Sequence, residues 1–215
     1  FVTHDIGDCT ARSGGDIASA GDIAHLALLL WEHFRDAAFL DDAERIVRCR
    51  LLPAQVREPM PVRPQREHPG DSFRDLPQRF VGAIGGSVGQ VGGQTCVTDF
   101  TAAALHSLIE VYRSGVTIEV DAVRVNLHLD CEDSGVRVES QRGLEEARVD
   151  VWNDTGKDLL IRVPGWAPAP SLRLVVDGAS VAPDICKGFA RVRARGAQVT
   201  LFFTLPQSQT VESWR

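Results

Sequence analysis

The hydrophobic period of the chain changes near Ser114, and this change constrains the fold more than any other feature of the sequence. Before Ser114, apolar residues recur every three or four positions, as on one face of a helix. After it, they alternate with polar residues, as in half-buried strands. We therefore predict an α+β protein in two segments, with a helical domain over residues 1–114 and an antiparallel β-sandwich domain over residues 115–215.

Two helices are predicted in the first part of the chain. Asp22 is a plausible N-cap for the first of them. One face of this helix would carry the apolar residues Ile23, Leu26, Ala27, Leu30, Trp31 and Phe34. After a break at Arg35-Asp36, a second helix is predicted from Leu40 to Pro53, with acidic residues at its start and arginines near its end, as the helix dipole favours. The two form a helical hairpin.

A glycine-rich stretch, Gly82–Gly93, precedes a third predicted helix. It has six glycines in twelve residues but lacks the Gly-Lys-Ser/Thr ending of a phosphate-binding loop. We interpret it as bare backbone that packs tightly or lies close to a ligand. Thr98 or Asp99 would cap the helix that follows, which runs to about Tyr112.

Alternating apolar and polar residues predict about eight short strands after Ser114. The alternation covers residues 123–129, Val136 and Val138, and then Val149 and Val151. Four further strands are predicted at Leu159–Val163, Leu172–Val176, Phe189–Val192 and Val199–Leu205. Short strands separated by polar turns are typical of an antiparallel sandwich.

Charge and composition exclude some classes of partner. The net charge is −6 with no basic stripe, so we expect no nucleic-acid binding. The longest apolar run, Leu26–Trp31, is far shorter than the ~20 residues of a membrane span. The five cysteines are odd in number and contain no Cys-x-x-Cys pair, which indicates free thiols and favours the cytoplasm.

Four stretches, in order along the chain, resemble β-L-arabinofuranosidase-type glycoside hydrolases of family 127 and its relatives. They are Arg35-Asp-Ala-Ala-Phe39 with Glu44-Arg45-Ile46 after it, Gln94-Thr-Cys-Val-Thr-Asp99, Val123-Arg-Val-Asn-Leu127 and Leu160-Ile-Arg-Val-Pro-Gly-Trp166. The resemblance implies the C-terminal helical hairpins of an (α/α) barrel followed by a β-sandwich. It also implies a retaining glycosidase with a glycan or glycoside substrate, for example a β-L-arabinofuranoside.

The same resemblance implies a cysteine nucleophile at Cys96, with zinc held by neighbouring cysteines and a glutamate. A thiolate at a helix start has a lowered pKa and can form a covalent glycosyl-enzyme. The family's two adjacent cysteines are replaced here by Thr95-Cys96-Val97, and Cys9 is the residue that would substitute as the other zinc ligand. The upstream Glu-x-Cys would fall near Asp16, and the acid/base glutamate at or before Phe1.

The predicted site therefore has three groups of residues. Cys96 and Asp16 are the catalytic candidates, and Cys9 and Cys96 are the metal candidates. The substrate-binding candidates are His4, Asp5, Gly92, Gly93 and Asp99.

Simpler readings of these residues stay open. Cys96 can be a small buried thiol, Asp16 a helix cap, and the segment around Cys9 a solvated polar stretch. The alternative function is a non-catalytic carbohydrate-binding or structural β-sandwich module with a helical extension.

Overall fold

The computed structural model describes residues 17–59, 78, 81–84, 97–193 and 198–206, and of residues 97–100 it describes the backbone. These residues divide into two compact units. The first comprises residues 17–32, 42–59, 78, 81–84 and 97–111, and the second comprises residues 33–41, 112–193 and 198–206. The short segment 33–41 thus groups with the strands, although it precedes them by about 75 residues in sequence. The boundary between 1–114 and 115–215 stays a prediction.

The first helix, α1, spans Ile17–Phe34 and begins earlier than expected. Asp22 lies inside it, so the predicted N-cap at Asp22 is wrong. The buried face also differs from the predicted one, because Leu26 and Phe34 are exposed. Small residues form most of the buried side, which comprises Ile17, Ala20, Gly21, Ala24, Ala27, Leu28 and Trp31. A search for large apolar residues overlooks such a face, since alanine and glycine carry little hydrophobic signal.

The second helix, α2, spans Ala38–Ile46 and follows the predicted break at residues 35–36. It continues into a π-helical turn, Val47–Leu51, in which Leu52 N donates to Val47 O at 2.9 Å. Beside this turn, the buried Glu44 carboxylate accepts a hydrogen bond from Arg48 Nε at 2.7 Å. Wider turns of this kind are rare and leave the periodicity of the sequence almost unchanged, so the sequence did not predict it.

The third helix, α3, spans Val97–Gly115. Thr98 and Asp99 lie in its first turn rather than at its cap, a shift within the ordinary uncertainty of helix ends. The buried side of α3 includes Ala104, Ser107 and Val111. None of the described helices is long and apolar enough to cross a membrane.

Helices α1 and α3 approach closely at Gly21. A Cβ atom added to Gly21 would lie 2.4 Å from Ser107 Oγ and 2.9 Å from Ser107 Cβ. Ser107 Oγ donates to Ala103 O at 3.1 Å, within its own helix. A glycine inside a helix costs up to about 1 kcal/mol relative to alanine, and here the missing side chain makes room for Ser107.

Among the described residues of the second unit, eleven strands form two sheets. Their bounds are β1 Val116–Ile118, β2 Ala122–Val125, β3 Cys131–Asp133, β4 Val136–Arg142, β5 Glu146–Asn153, β6 Asp158–Arg162, β7 Arg173–Val176, β8 Ala179–Val181, β9 Asp184–Cys186, β10 Phe189–Val192 and β11 Gln198–Thr204. The strand order is β1-β2-β6-β10-β9 in one sheet and β3-β4-β5-β11-β7-β8 in the other. Four of them, β1, β3, β8 and β9, have only three residues, too few to show alternation, so the sequence predicted about eight.

One strand pair departs from the predicted antiparallel arrangement. Strands β2 and β6 are parallel, with Val123 opposite Leu159 and Val125 opposite Ile161. Between them the chain leaves the five-stranded sheet and forms β3, β4 and β5 of the other sheet. It then returns in the same direction as β2, as a crossover connection requires. The other pairs are antiparallel.

The core of the second unit is an apolar cluster formed by residues from both sheets. It contains Val123, Val125, Val136, Val138, Ala147, Val149, Val151, Leu159, Ile161, Val163, Leu174, Ala190, Val192, Val199, Leu201 and Phe203. These are largely the alternating positions that the sequence singles out, because each strand buries one face. Gly156 lies in the connection between β5 and β6 and has the positive φ of 72° that favours glycine.

Replacement of Gly21 by alanine tests the helix contact. We expect Gly21→Ala to lower the free energy of unfolding by about 1–3 kcal/mol, because the new Cβ has no space beside Ser107. Adding Ser107→Gly removes both atoms that this Cβ would meet and should recover most of the loss. Gly115→Ala is the control, since no heavy atom lies within 4 Å of its added Cβ. Equal urea-unfolding curves for Gly21→Ala and Gly115→Ala would contradict the close approach.

Candidate functional site

Most of the site residues predicted from the sequence lie outside the described residues. This group comprises His4, Asp5, Cys9, Asp16, Gly92, Gly93 and Cys96. Asp99 lies in the first turn of α3, where the structure describes its backbone only. Their roles stay predictions. The structure does describe the helices that follow two of them directly in the chain: α1 follows Asp16, and α3 follows Cys96.

The first residue of α3, Val97, directly follows Cys96 in the chain. Near this start, Thr101 fixes the helix to the segment 81–84. Its Oγ1 accepts a hydrogen bond from Ile84 N at 3.1 Å and donates one to Ile84 O at 3.2 Å. Ile84 in turn forms a β-bridge with Gln55, which follows the π-helical turn. The amide N–H and the carbonyl oxygen of Ile84 thus both bond to Thr101 and hold the beginning of α3.

The beginning of α3 has the electrostatic character that a reactive thiolate requires. The first amide groups of a helix have no carbonyl partners within it, and the aligned peptide dipoles place a partial positive charge there. A helix of 19 residues carries this dipole in full. A carboxylate, phosphate or thiolate next to the first turn is therefore stabilised relative to its neutral form.

The described histidines and acids do not form a metal site. Within residues 17–59, 78, 81–84, 97–193 and 198–206, no three His, Cys, Asp or Glu side chains are grouped as metal ligands would be. The rings of His25 and His106 are in contact edge to face, with their centroids 5.9 Å apart.

A buried ion pair in the second unit joins α2 to the strands. Arg162 is only 1% exposed, and its Nη1 donates to the Asp41 carboxylate. The second oxygen of that carboxylate accepts a hydrogen bond from Gly165 N at 2.7 Å. Both carboxylate oxygens are therefore bonded, as a buried charge requires. The two partners are 121 residues apart in sequence.

Further hydrogen bonds extend this pair into a network. Arg162 Nε donates to Asn126 O at 2.5 Å, and the Asn126 amide donates to Ser114 O and to Thr117 Oγ1, each at 2.9 Å. The fully buried His128 donates from Nε2 to Arg162 O at 2.8 Å, because a carbonyl oxygen only accepts. The hydrogen on Nε2 therefore fixes the orientation of the ring.

Two of the stretches that carry the family resemblance meet in this network, and Asp41 lies between the two parts of a third. Arg162 and Gly165 belong to Leu160–Trp166, Asn126 belongs to Val123–Leu127, and Asp41 follows Arg35–Phe39. Sequence reasoning placed acidic residues, Asp41 among them, at the start of the second helix but assigned no tertiary partner to Asp41, Asn126 or Arg162. The available signal was the arginine in the predicted strand Leu159–Val163, whose other residues are apolar, because a buried charge demands a partner.

The described cysteines differ in their environments. Burial raises the pKa of the Cys131 thiol to about 11, and the nearby Asp130 and Asp133 carboxylates act in the same direction. Its thiol is therefore protonated at neutral pH and a poor nucleophile. Cys49 and Cys186 are exposed and free.

Removal of the Asp41 carboxylate tests the buried pair. We expect Asp41→Ala to destabilise the protein by about 3–5 kcal/mol, because it leaves the Arg162 charge buried without its carboxylate. Asp42→Ala is the matched control: its carboxylate pairs with Arg45 at the surface, and its loss should cost less than about 1 kcal/mol.

Thermal unfolding of both variants measures this difference. If Asp41→Ala does not fold, the double variant Asp41→Leu/Arg162→Met, which removes both charges, is expected to restore a folded protein. Similar melting temperatures for Asp41→Ala and Asp42→Ala would contradict the assignment.

Alkylation with iodoacetamide tests the Cys131 environment. At pH 8 we expect Cys131 to react at least about tenfold more slowly than Cys186, because its thiolate fraction is far smaller. Its rate should rise with pH until the pH approaches about 11. Peptide mass spectrometry follows each cysteine separately. Equal labelling of Cys131 and Cys186 at pH 8 would show that the thiol is not shielded.

Comparison with solved structures identifies the fold of this chain. No family model matches the chain, and no curated protein matches it. Among solved structures, a GH127 β-L-arabinofuranosidase from Geobacillus stearothermophilus T6 aligns over 89% of this chain and 32% of its own, with a TM-score of 0.53 and 20% identity. A second GH127 β-arabinofuranosidase aligns over 88% and 32%, with a TM-score of 0.53 and 14% identity.

A third structure, described as a glycoside hydrolase, aligns over 88% of this chain and 33% of its own, with a TM-score of 0.52 and 16% identity. The chain thus spans about a third of the length of these enzymes. At such low identity the likeness establishes the fold alone. The resemblance expected from the four sequence stretches is confirmed at that level: this chain shares its fold with GH127 β-L-arabinofuranosidases.

Proposed function

We propose that the protein containing this chain is a retaining glycoside hydrolase that acts on a furanoside such as a β-L-arabinofuranoside. The observation that carries the proposal is the likeness in fold to GH127 enzymes over 88–89% of the chain. Cys96, directly before the first residue of α3, is the proposed nucleophile.

The proposed reaction has two steps. The Cys96 sulfur attacks the anomeric carbon, the bond to the leaving oxygen breaks, and a carboxylic acid supplies the proton that this oxygen takes up. Water then attacks the same carbon and gives a proton to the carboxylate that the first step left, the carbon–sulfur bond breaks with its electrons returning to sulfur, and the sugar is released. The positive end of α3 supports the first step, because it favours the thiolate over the thiol.

The remaining predicted residues have supporting roles in this proposal. Asp16 directly precedes α1, as Cys96 precedes α3, and the two helices are in contact at Gly21 and Ser107. The proposed role of Asp16 as a catalytic carboxylate rests on the family resemblance. The polar groups of the sugar would be bound by His4, Asp5, Gly92, Gly93 and Asp99.

Zinc belongs to the proposal as an expected cofactor. Cys9 and Cys96 would hold it, and two thiolates are a donor set that suits zinc. Bound zinc would keep the sulfur deprotonated at neutral pH. The α3 dipole acts in the same direction without the metal.

Replacement of Cys96 tests the nucleophile. In the protein expressed at the full length of its gene, Cys96→Ala should lower kcat/KM for an aryl β-L-arabinofuranoside by at least about a thousandfold, because the covalent intermediate cannot form. Cys49→Ala is the matched control, since Cys49 is an exposed free thiol, and should retain activity. Mass spectrometry of the quenched wild-type reaction should find the glycosyl adduct on the Cys96 peptide.

Two results would count against this function. Full activity of Cys96→Ala would show that Cys96 is not the nucleophile, but the protein would still be a glycosidase. Binding of arabinan oligosaccharides without hydrolysis of any aryl glycoside by the full-length wild-type protein would instead support the alternative, a non-catalytic carbohydrate-binding module.

A further inference from the structure

The Thr101 hydroxyl joins α3 to a segment that is distant in sequence. Its Oγ1 accepts a hydrogen bond from Ile84 N at 3.1 Å and donates one to Ile84 O at 3.2 Å, across 17 positions of the chain. A hydroxyl has one hydrogen to donate and two lone pairs to accept with, so both of its functions are used on one residue. We call this pair of hydrogen bonds the Thr101 clamp.

This is an uncommon use of a threonine inside a helix. A threonine hydroxyl in a helix ordinarily bonds to a carbonyl oxygen three or four residues earlier in the same helix. Ser107 follows that rule, because its Oγ donates to Ala103 O at 3.1 Å. Threonine is also a poorer helix former than alanine. The contribution of Thr101 is therefore a link between two segments rather than stability of the helix itself.

Ile84, the residue that the clamp holds, is itself fixed in place. It is only 3% exposed and forms a β-bridge with Gln55. Beside this bridge, Val56 N donates to Ala83 O at 2.9 Å, and Gly82 N donates to Val56 O at 2.8 Å. The clamp therefore ties α3 to a backbone that is already hydrogen-bonded to another segment of the same unit.

The clamp lies about one turn into α3. A helix rises about 1.5 Å per residue, so Thr101 lies roughly 6 Å along the axis from Val97, the first residue of the helix. Positions four apart lie on the same face, so the clamp holds the face that carries Val97. The first turn of a helix lacks some of the hydrogen bonds of its interior, and helix ends fray. A link at this position limits that fraying.

The position of this helix start matters for the proposed reaction, because Cys96 directly precedes Val97 in the chain. A residue that is covalently joined to the start of a helix shifts when that start shifts. Catalysis depends on holding the reacting groups in geometry for attack, and a misplacement of ~1 Å can cost about a hundredfold in rate. A contact that holds the first turn of α3 can therefore control the reaction without touching the substrate.

We propose that Thr101 is a positioning residue for hydrolysis: its clamp holds the start of α3, and thereby Cys96, where attack on the anomeric carbon requires the sulfur. The inference rests on the proposed function, in which Cys96 is the nucleophile. Thr101 acts through the helix, so its contribution belongs to the chemical step rather than to binding of the sugar.

Thr101→Val tests the proposal in the protein expressed at the full length of its gene. Valine has the shape of threonine without the hydroxyl, so both bonds of the clamp are lost while the β-branched side chain stays. For an aryl β-L-arabinofuranoside we expect kcat to fall at least about tenfold and KM to change less than about threefold. Thr101→Ser keeps the hydroxyl and should retain at least about a third of the wild-type kcat.

The matched control is Ser107→Ala, which removes a hydroxyl that bonds within α3 and should leave kcat within about twofold. The melting temperatures of the variants show whether a loss of activity is a loss of folding. If Thr101→Val does not fold, Thr101→Ala takes its place, because its smaller side chain leaves room for water to bond to the backbone of Ile84.

Four results would overturn the role in catalysis. They are a wild-type kcat in Thr101→Val, a rise in KM alone, an equal loss of kcat in Ser107→Ala, and a loss in Thr101→Ser as large as that in Thr101→Val. The last of these would show that the hydroxyl is not the group responsible.

Hydrogen exchange followed by mass spectrometry separates this inference from the proposed function. Loss of the clamp should speed exchange at the Ile84 amide and in the first turn of α3 at least about threefold, because the local structure opens more easily. Hydrolysis by the wild type together with unchanged exchange in Thr101→Val would overturn the clamp alone. A wild type that hydrolyses no glycoside would overturn the proposed function and the catalytic role of Thr101, and faster exchange in Thr101→Val would then leave the clamp as a support of the helix start only.

Discussion

The buried pair between Asp41 and Arg162 is the interaction on which the second unit depends most. A buried guanidinium is costly unless its charge and its N–H groups are satisfied. Here the partners come from a helix start, a strand end and a backbone carbonyl that are far apart in the sequence. Each of those segments is therefore needed for the others to be stable, and the segment 33–41 groups with the strands for this reason.

The same pair explains why the α1–α2 turn tolerates strain. Arg35 has a positive φ, and strain of this kind persists where surrounding structure over-determines the backbone. Asp36 caps α2 on one side of the turn, and Asp41 anchors the helix to Arg162. The hairpin at Lys187 and Gly188 is then limited in position by Ala37, because Gly188 leaves no space for a side chain. These contacts hold the exposed turn between α1 and α2 in one conformation.

Hydrophobic periodicity was enough to predict three helices, most of the strands and the change of class near Ser114, because burial of one face per element imposes that period. It failed where small residues form the buried face, as in α1, and where strands have three residues, as in β1 or β9. Parallel pairing of β2 with β6 and the Arg162 network depend on long-range topology, which local pattern does not encode.

The proposed role of Cys96 as nucleophile comes from the family resemblance. The structure adds the environments of the other cysteines, which bear on whether their thiols can react. Reactivity requires a thiolate, so the environment of each sulfur decides its role. Cys131 is excluded as a neutral-pH nucleophile because burial and two carboxylates raise its pKa to about 11. Cys49 lies inside the π-helical turn and Cys186 at the end of β9, so neither thiol directly precedes a helix in the chain. Val97 begins a helix whose positive end favours an anion, and Cys96 is its neighbour in the chain.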